Sequence, residues 1–594
     1  MNHSYNLKTI KNMPYETLQD YCQSIRTFLI EYFSTHGGHV GSNLETVELI
    51  VTLLKEFDYF EDYIFFDTGH QSYLMKLLTE RPKPFETIRK LGGLSGFMDK
   101  WENPRDHFIS GHGGTGIATA VGFSCSVDEN QNRPCKNTIC VIGDAALSEG
   151  LSFEAFNNAT DKKNSRLILV INDNGWSIEK NVGNLARILS DTISAEQFFS
   201  LFGFKYHYCE DGHNVEKLGL AWREVKSHQS RCVLHVRTKK GFGLQYAESD
   251  NIRKMHYSEP FYLGNGQTKQ TRGNAIRFVD INSRALSHLR EKYSNIVAIT
   301  SGMCGGNGLD DFKHQYPDSF IDVGMSEQYS ICFANGLAIG GKIPFVVIHA
   351  AFLPRAFDQM LQDICLQNIH AIILVGRSGF AGPDGSTHHG VYDLTYLRCL
   401  PNLSIFSPKD GNEYYKLIHY TCEELRTPCV ILTPHAYTTL DLSFISNMDI
   451  VQSIEEVYAG TDICVFTTGI IWEEAKKLCD SLNCVGYSMG LYHVRQIKSF
   501  NYDRCVDIMK KYKRVVVVEE NSVIGGLGSE IAKLSAEDKS LPPVNIFGVP
   551  DRFFPYGDIP GLRKLSGISS DEIETALRKI IGRSPLQEKE CAIK

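Results

Sequence analysis

Two apolar runs of the chain each close on an oxygen-bearing side chain: "NTICVIGD" ends at Asp144 and "RLILVINDN" ends at Asn174, with one helix's worth of chain between them. A carboxylate, an amide oxygen and nearby main-chain carbonyls are hard ligands, suited to an octahedral divalent cation that also grips a diphosphate. In an open parallel sheet, ligands sit beyond the carboxyl ends of the strands, where helix N-termini offer N–H groups to an anion. A right-handed β-α-β unit would bring Asp144 and Asn174 side by side at such an edge. The plain alternative is a Gly-Asp turn after a strand, which is common and needs no ligand. Other groups able to do chemistry are His39 in "GGHVGS", His70 in "TGHQSY", His112 in "SGHGGTG", Glu327 in "MSEQ", and Arg377, Asp384 and His388 in "GRSGFAGPDGSTHHG". Imidazole moves protons near neutral pH, and a guanidinium binds phosphate through paired N–H bonds. Against this, a loop histidine is more often a surface or capping group, and a Gly-rich turn can carry incidental charges.

The elements that must position these groups follow from the periodicity. "YETLQDYCQSIRTFLIEYF" spaces its apolar residues at three and four, a helical stripe, and ends at the Gly-rich "STHGGHVGSN" before a second helical pattern. Short β-rich runs then alternate with helical ones: "YIFFDTGH", "ATAVGFSCSV", "NTICVIGD", "LSFEAFNNATD", "RLILVIND", "RCVLHVRTKKG". Such alternation implies a parallel sheet covered on both faces. A polar, glycine-bearing stretch at 262–274 reads as a linker. A second alternating block runs to "PCVILTP", the pattern lapses between about 433 and 455, and a third block closes with the helix "DEIETALRKIIG". Three α/β domains in series are expected.

The totals agree. A chain of 594 residues is too long for a single core. Its 42% hydrophobic and 22% charged residues and net charge of -8 are ordinary for a globular protein and offer no basic stripe for nucleic acid. Its 17 cysteines contain no C-x-x-C pair, which points to buried free thiols in a reducing compartment. The N-terminus lacks the apolar core of a signal peptide, and no run is long enough to span a membrane, so a cytoplasmic location is expected.

In one order over nearly the whole chain come "GHVGSNLETVEL", "FDTGHQSY", "GDAALSEGLSFEAFNNA", "INDNGWSIEKNVG", "RTKKGFG", "DVGMSEQYSICFANGLAIGG", "FLPRAFDQ", "GPDGSTHHGVYDLTYLRCLPN", "VVVVEEN" and "GVPDRFFPYG". With these blocks the sequence resembles the thiamine diphosphate enzymes of the transketolase superfamily, and within it the 1-deoxy-D-xylulose-5-phosphate synthase family. The resemblance implies a diphosphate-binding domain over 1–265, a pyrimidine-binding domain over 272–435 and a transketolase C-terminal-like domain over 450–594. It implies thiamine diphosphate and Mg²⁺ as cofactors, the metal held by Asp144, Asn174 and the carbonyl of Trp176, with Gly143, Ala145, His70 and His112 close to the cofactor. Glu327 would meet N1′ of the aminopyrimidine, where a carboxyl group favours the tautomer that takes up the thiazolium C2 proton. Phe352 would stack on the pyrimidine with Arg355 close by, and His39, His70 and His388 would shuttle protons. His39, His349, Arg377, Asp384 and His388 would bind substrate, Arg377 taking the acceptor's phosphate. Lys239 and Lys240 read either as a solvated turn or as active-site groups, and His256 lies in a stretch that matches another active-site histidine of the family.

The implied reaction is decarboxylation of pyruvate and its carboligation to D-glyceraldehyde 3-phosphate, giving 1-deoxy-D-xylulose 5-phosphate and CO₂ in a homodimeric enzyme. The alternatives are a related ketol or acyl transferase with another acceptor or donor, and a non-catalytic paralogue. Several residues depart from the family pattern: Ala145 replaces a glycine, His349 a phenol and Tyr329 a histidine, and Glu45 stands where glycine is common. Tyr492 falls at an arginine of the third domain, and the segment after "SIEKNVG" is short.

Overall fold

The computed structural model describes residues 5–128, 137–159, 166–228, 230–269, 273, 275–445, 450 and 452–581. Backbone proximity groups the chain into two compact units, Met1–Thr271 with Val323–Ser326, and Arg272–Asp322 with Glu327–Lys594.

The first unit is built on a five-stranded parallel sheet in the order Tyr63–Phe66, Thr138–Gly143, Leu167–Asp173, Cys232–Arg237, Lys205–Cys209. Alternate residues of these strands enter two separate cores. Ile139, Val141, Ile168, Val170 and Leu234 pack with the N-terminal helices, whereas Cys140, Ile142, Leu169, Ile171 and Val233 pack with Ile117, Phe156 and Phe199. Both faces are thus buried, which is why the strands read as unbroken apolar runs. The exception is Lys205–Cys209, an edge strand whose alternately exposed "KYHYC" gave no such signal. "ATAVGFSCSV" belongs to the helix Gly116–Asp128.

The second unit carries two sheets. One has seven strands, in the order Gln496–Lys498, Ser404–Phe406, Cys429–Pro434, Ile372–Ser378, Ile343–His349, Ile296–Thr300, Phe320–Asp322. Its first strand is antiparallel and comes from beyond residue 450. The other has five strands, in the order Ile454–Tyr458, Met489–Val494, Ile463–Thr467, Arg514–Ser522, Val544–Val549, parallel apart from the first. A short antiparallel pair, Ile276–Arg277 with Tyr437–Thr438, adds to this unit. The architecture is α/β with parallel sheets, as the alternating pattern predicts.

Within the expected linker, residues 270–272 and 274 lie outside the described residues, as do 446–449 and 451 of the later lapse. The rest of the first stretch is tied down: Phe261 bridges to Thr268, Tyr262 N donates to Gln267 O, and Phe261 is buried in the core of the first unit. Among the described residues no helix is long and apolar enough to cross a membrane, and the 15 described cysteines are free thiols.

Candidate active site

Strands Thr138–Gly143 and Leu167–Asp173 are parallel neighbours with Gly143 opposite Asn172, so Asp144 and Asn174 leave the same edge of the first unit's sheet. Asp144 Oδ1 accepts from Ala145 N at 2.9 Å and Oδ2 from Gly175 N at 2.7 Å. The Ala145 N–H therefore serves the carboxylate of the residue before it. Asn174 Oδ1 accepts from Trp176 N at 2.7 Å, which winds the turn that carries Trp176.

Around this pair lies a buried polar cluster. Glu45, which follows the short helix Val40–Leu44, is 2% exposed. Its Oε1 accepts from Asn172 Nδ2 at 2.8 Å and from Asn174 Nδ2 at 3.0 Å, and its Oε2 accepts from Asn174 Nδ2 at 2.9 Å. Asp173 is anchored by His235 Nε2 at 2.7 Å and by Arg237, and Tyr206 OH meets the other His235 nitrogen at 2.7 Å. Burial, together with the neighbouring Asp173, drives Asp144 well above the usual carboxylate range. Burial works in the same direction on Asp173, but hydrogen bonds from His235 and Asp144 and the charge of Arg237 hold it low. Burial pushes Glu45 up to about 7 against the pull of Lys240. Lys240 is itself pushed down to about 8 by burial.

Asp144 and the amide oxygen of Asn174 are hard oxygen donors at one strand-end edge, suited to a divalent cation, while Glu45 and Asp173 are held by Asn172, Asn174, His235 and Arg237. A Cβ built on Gly143 or Gly175 meets nothing within 4 Å, so the cradle beside the oxygens is open. The residues present fit a metal that grips a diphosphate.

The first unit also gathers His39, His70 and His256, with ring centroids 5.0–5.8 Å apart. Burial, with Lys240 nearby, lowers His70 to about 3, so the ring is neutral, and its buried Nδ1 has no hydrogen-bond partner. Lys240 Nζ lies 2.9 Å from His256 Nδ1 and also donates to Ser177 O. The turn before His70 needs its glycine, because a Cβ at Gly69 (φ 77°) would lie 1.8 Å from Ser110 Oγ. The loop bearing His112 is fixed by Asp67, whose carboxylate accepts from Gly114 N and Gly116 N at 3.0 and 2.7 Å.

The second unit assembles a different set. Glu327 opens the helix Glu327–Ile339; it is buried, its carboxyl raised by burial, with Arg355 Nη1 3.9 Å from Oε2. Phe352 lies between two imidazoles: His349 stacks near-parallel at 6.1 Å and His388 meets it edge-on at 5.6 Å. Arg377 takes left-handed backbone (φ 62°) and Nη1 donates to Asp384 Oδ2 at 2.7 Å. A non-glycine residue held there costs of order 1–3 kcal/mol, a strain that collects at functional sites. Burial, with Arg377 adding to it, lowers His349 well below the usual imidazole range and His435 to about 4. The sequence carries no signal for His435, for Asp173 or for the His235 that anchors it. His435 lies in "TPHAYTTL", where the period lapses, and only the fold brings it to Arg377.

Tyr492 is elsewhere. Its OH pairs with Tyr512 OH at 2.9 Å in the core of the third sheet. Arg495 is committed to Glu413 and Glu455.

Family models match consecutive stretches: 1-deoxy-D-xylulose-5-phosphate synthase over residues 1–198, the transketolase pyrimidine-binding domain over 274–439 and the transketolase C-terminal domain over 453–573. The 1-deoxy-D-xylulose-5-phosphate synthase of Aquifex aeolicus is 35% identical over 609 residues, covering 96% of this chain and 96% of that protein. The chain belongs to the 1-deoxy-D-xylulose-5-phosphate synthase family. Another synthase, from Alkaliphilus oremlandii, is 31% identical and covers 97% of this chain and 98% of its own. Among solved structures, the transketolase of Campylobacter jejuni aligns over 96% of this chain at 17% identity with a TM-score of 0.46. Membership in this synthase family carries thiamine diphosphate dependence with it.

Proposed function

We propose that this chain decarboxylates pyruvate and joins the remaining two-carbon unit to D-glyceraldehyde 3-phosphate, giving 1-deoxy-D-xylulose 5-phosphate and CO₂. The observation that carries this reading is end-to-end similarity to synthases in a chain whose Asp144 and Asn174 leave one strand-end edge together. Thiamine diphosphate, when bound, supplies the acidic carbon that becomes a nucleophile and the ring that accepts electrons as CO₂ departs.

The chain's own residues bind, orient and move protons. Asp144, Asn174 and the Trp176 carbonyl would hold Mg²⁺ with the diphosphate, and Lys240 and His112 would add donors. Glu327, its carboxyl raised by burial, would share a proton with the aminopyrimidine, and Phe352 would give that ring a flat apolar seat. His39, His70 and His388 are the proton carriers, His70 being neutral at physiological pH and able to accept. Arg377, aimed by Asp384, takes the acceptor's phosphate. Homodimeric assembly belongs to the same proposal. The helix Glu327–Ile339 exposes Tyr329 and Ile339, and Leu361 and Leu366 are exposed beside it. A cytoplasmic location is supported by the free thiols.

One observation favours a second reading, a relative using a different acceptor. Tyr492 is packed against Tyr512 and Arg495 is ion-paired, so this strand presents no arginine to a second phosphate contact. Purified protein with Mg²⁺ and thiamine diphosphate, given pyruvate with and without glyceraldehyde 3-phosphate or an unphosphorylated aldehyde, distinguishes the two. CO₂ release that rises with the acceptor supports the synthase. CO₂ release that glyceraldehyde 3-phosphate leaves unchanged and an unphosphorylated aldehyde raises supports the second reading.

A further inference from the structure

The hydrogen bonds at the strand-end edge assign a role to Glu45. Asn174 has one oxygen and one NH₂ on its amide, and only the oxygen can ligate a hard cation. The NH₂ is spoken for: it donates to both oxygens of Glu45, at 3.0 and 2.9 Å. Turning the amide over would set Asn174 Oδ1 against a carboxylate, two acceptors facing each other in a buried site. Glu45 therefore selects one of the two amide orientations. In that orientation Oδ1 accepts from Trp176 N at 2.7 Å and keeps a second lone pair for a ligand.

Glu45 is held firmly enough to do this. Its Oε1 also accepts from Asn172 Nδ2 at 2.8 Å, and Asn172 is locked in turn by Thr238 Oγ1, which donates to Asn172 Oδ1 at 2.6 Å. The carboxylate is buried and attracted by the buried Lys240. Outer-shell carboxylates that orient metal ligands in this way are worth about 10- to 100-fold in metal affinity.

We propose that Glu45 is a positioning residue of the metal–diphosphate clamp, fixing Asn174 with its carbonyl oxygen turned to the cation; this rests on the reading of Asp144 and Asn174 as that clamp. The test is thiamine diphosphate binding, followed by tryptophan fluorescence and calorimetry while Mg²⁺ is varied, on the full chain and without substrate. Glu45→Gly raises the Mg²⁺ concentration for half-saturation about 10- to 100-fold. In an Asn174→Ala background the same change adds little, because Glu45 acts through that amide. Glu45→Gln, which keeps the volume and one acceptor oxygen, shows a smaller rise and carries the test if Glu45→Gly does not fold. A purely structural role would lower the unfolding temperature and leave the Mg²⁺ requirement and its coupling to Asn174 unmoved; that result overturns the proposal. Asp144→Asn separates the two levels. If it loses Mg²⁺ dependence while both Glu45 variants retain wild-type half-saturation, only the assignment to Glu45 fails. If Asp144→Asn is also unchanged, the clamp itself is wrong and the proposal falls with it.

Discussion

Glu327 is a carboxyl at a helix N-terminus, buried, with the nearest guanidinium nitrogen 3.9 Å away. In the proposed reaction it shares a proton with the cofactor, so Glu327→Gln, which cannot give that proton up, is expected to lower kcat by about 10²–10⁴-fold. Its thermal unfolding should stay near that of the wild type. A variant that turned over normally would remove Glu327 from the proton relay. Asp144 and Asn174 stand out in the sequence because each sits where an apolar run meets a loop, whereas the role proposed for Glu327 comes from the family resemblance and not from its position. The partnership of Glu45 with Asn174 was not legible. The two are 129 residues apart, and only the packing of the helices around Val40–Leu44 against the central strand brings a carboxylate to an amide. Tyr492 illustrates the converse. The resemblance sets it at the place of a phosphate-binding arginine, whereas its strand face turns it into the core beside Tyr512.

At the scale of elements, the strand Gln496–Lys498 leaves the third block to finish the edge of the second sheet, pairing Ile405 with Lys498 and Phe406 with Gln496. Its approach is fixed by Arg495, 3% exposed, which bonds Glu413 of the helix Gly411–Glu423 and Glu455 of the strand Ile454–Tyr458. Replacing Arg495 with Ala leaves Glu413, fully buried, without that charge partner, and a loss of about 3–5 kcal/mol in urea unfolding is expected; a loss below about 1 kcal/mol would mean that the backbone N–H of Lys409, which donates to Glu413 Oε2 at 2.6 Å, is enough to hold the carboxylate. Periodicity predicts strands and helices one by one but carries no information on an edge strand lent between blocks, since three residues of "QIK" have no recognisable period. Asp393 opens the helix Asp393–Arg398 fully buried, and burial pushes it from 3.8 up to about 7. A folded-state value above the unfolded one means the native state binds the proton more tightly, so this stabilisation is complete below about pH 4 and is lost as pH rises through about 7. Asp393→Asn should therefore show a smaller fall in urea midpoint between pH 5 and pH 8 than the wild type. Equal falls in both would show that Asp393 does not titrate in that range.

For the whole molecule, alternating strands and helices point to α/β blocks, and the three larger sheets of the structure, parallel apart from one strand in each of two, match that class. The proposed homodimer draws on surface chemistry. With Ile339 69% and Leu366 74% exposed, the apolar face around Glu327–Ile339 is where the proposal seats a second copy. Light scattering should report twice the chain mass for the wild type and the chain mass for Ile339→Asp combined with Leu366→Asp; a wild type that is monomeric at micromolar concentration would remove the dimer from the proposal. The chemistry is tested most directly by giving the enzyme, with Mg²⁺, thiamine diphosphate and D-glyceraldehyde 3-phosphate, pyruvate labelled with carbon-13 at its keto carbon, and reading the product by NMR. The expected result is label at the ketone carbon of 1-deoxy-D-xylulose 5-phosphate and unlabelled CO₂. Label that stays in pyruvate, or that enters a product formed equally well without glyceraldehyde 3-phosphate, would contradict the proposed reaction.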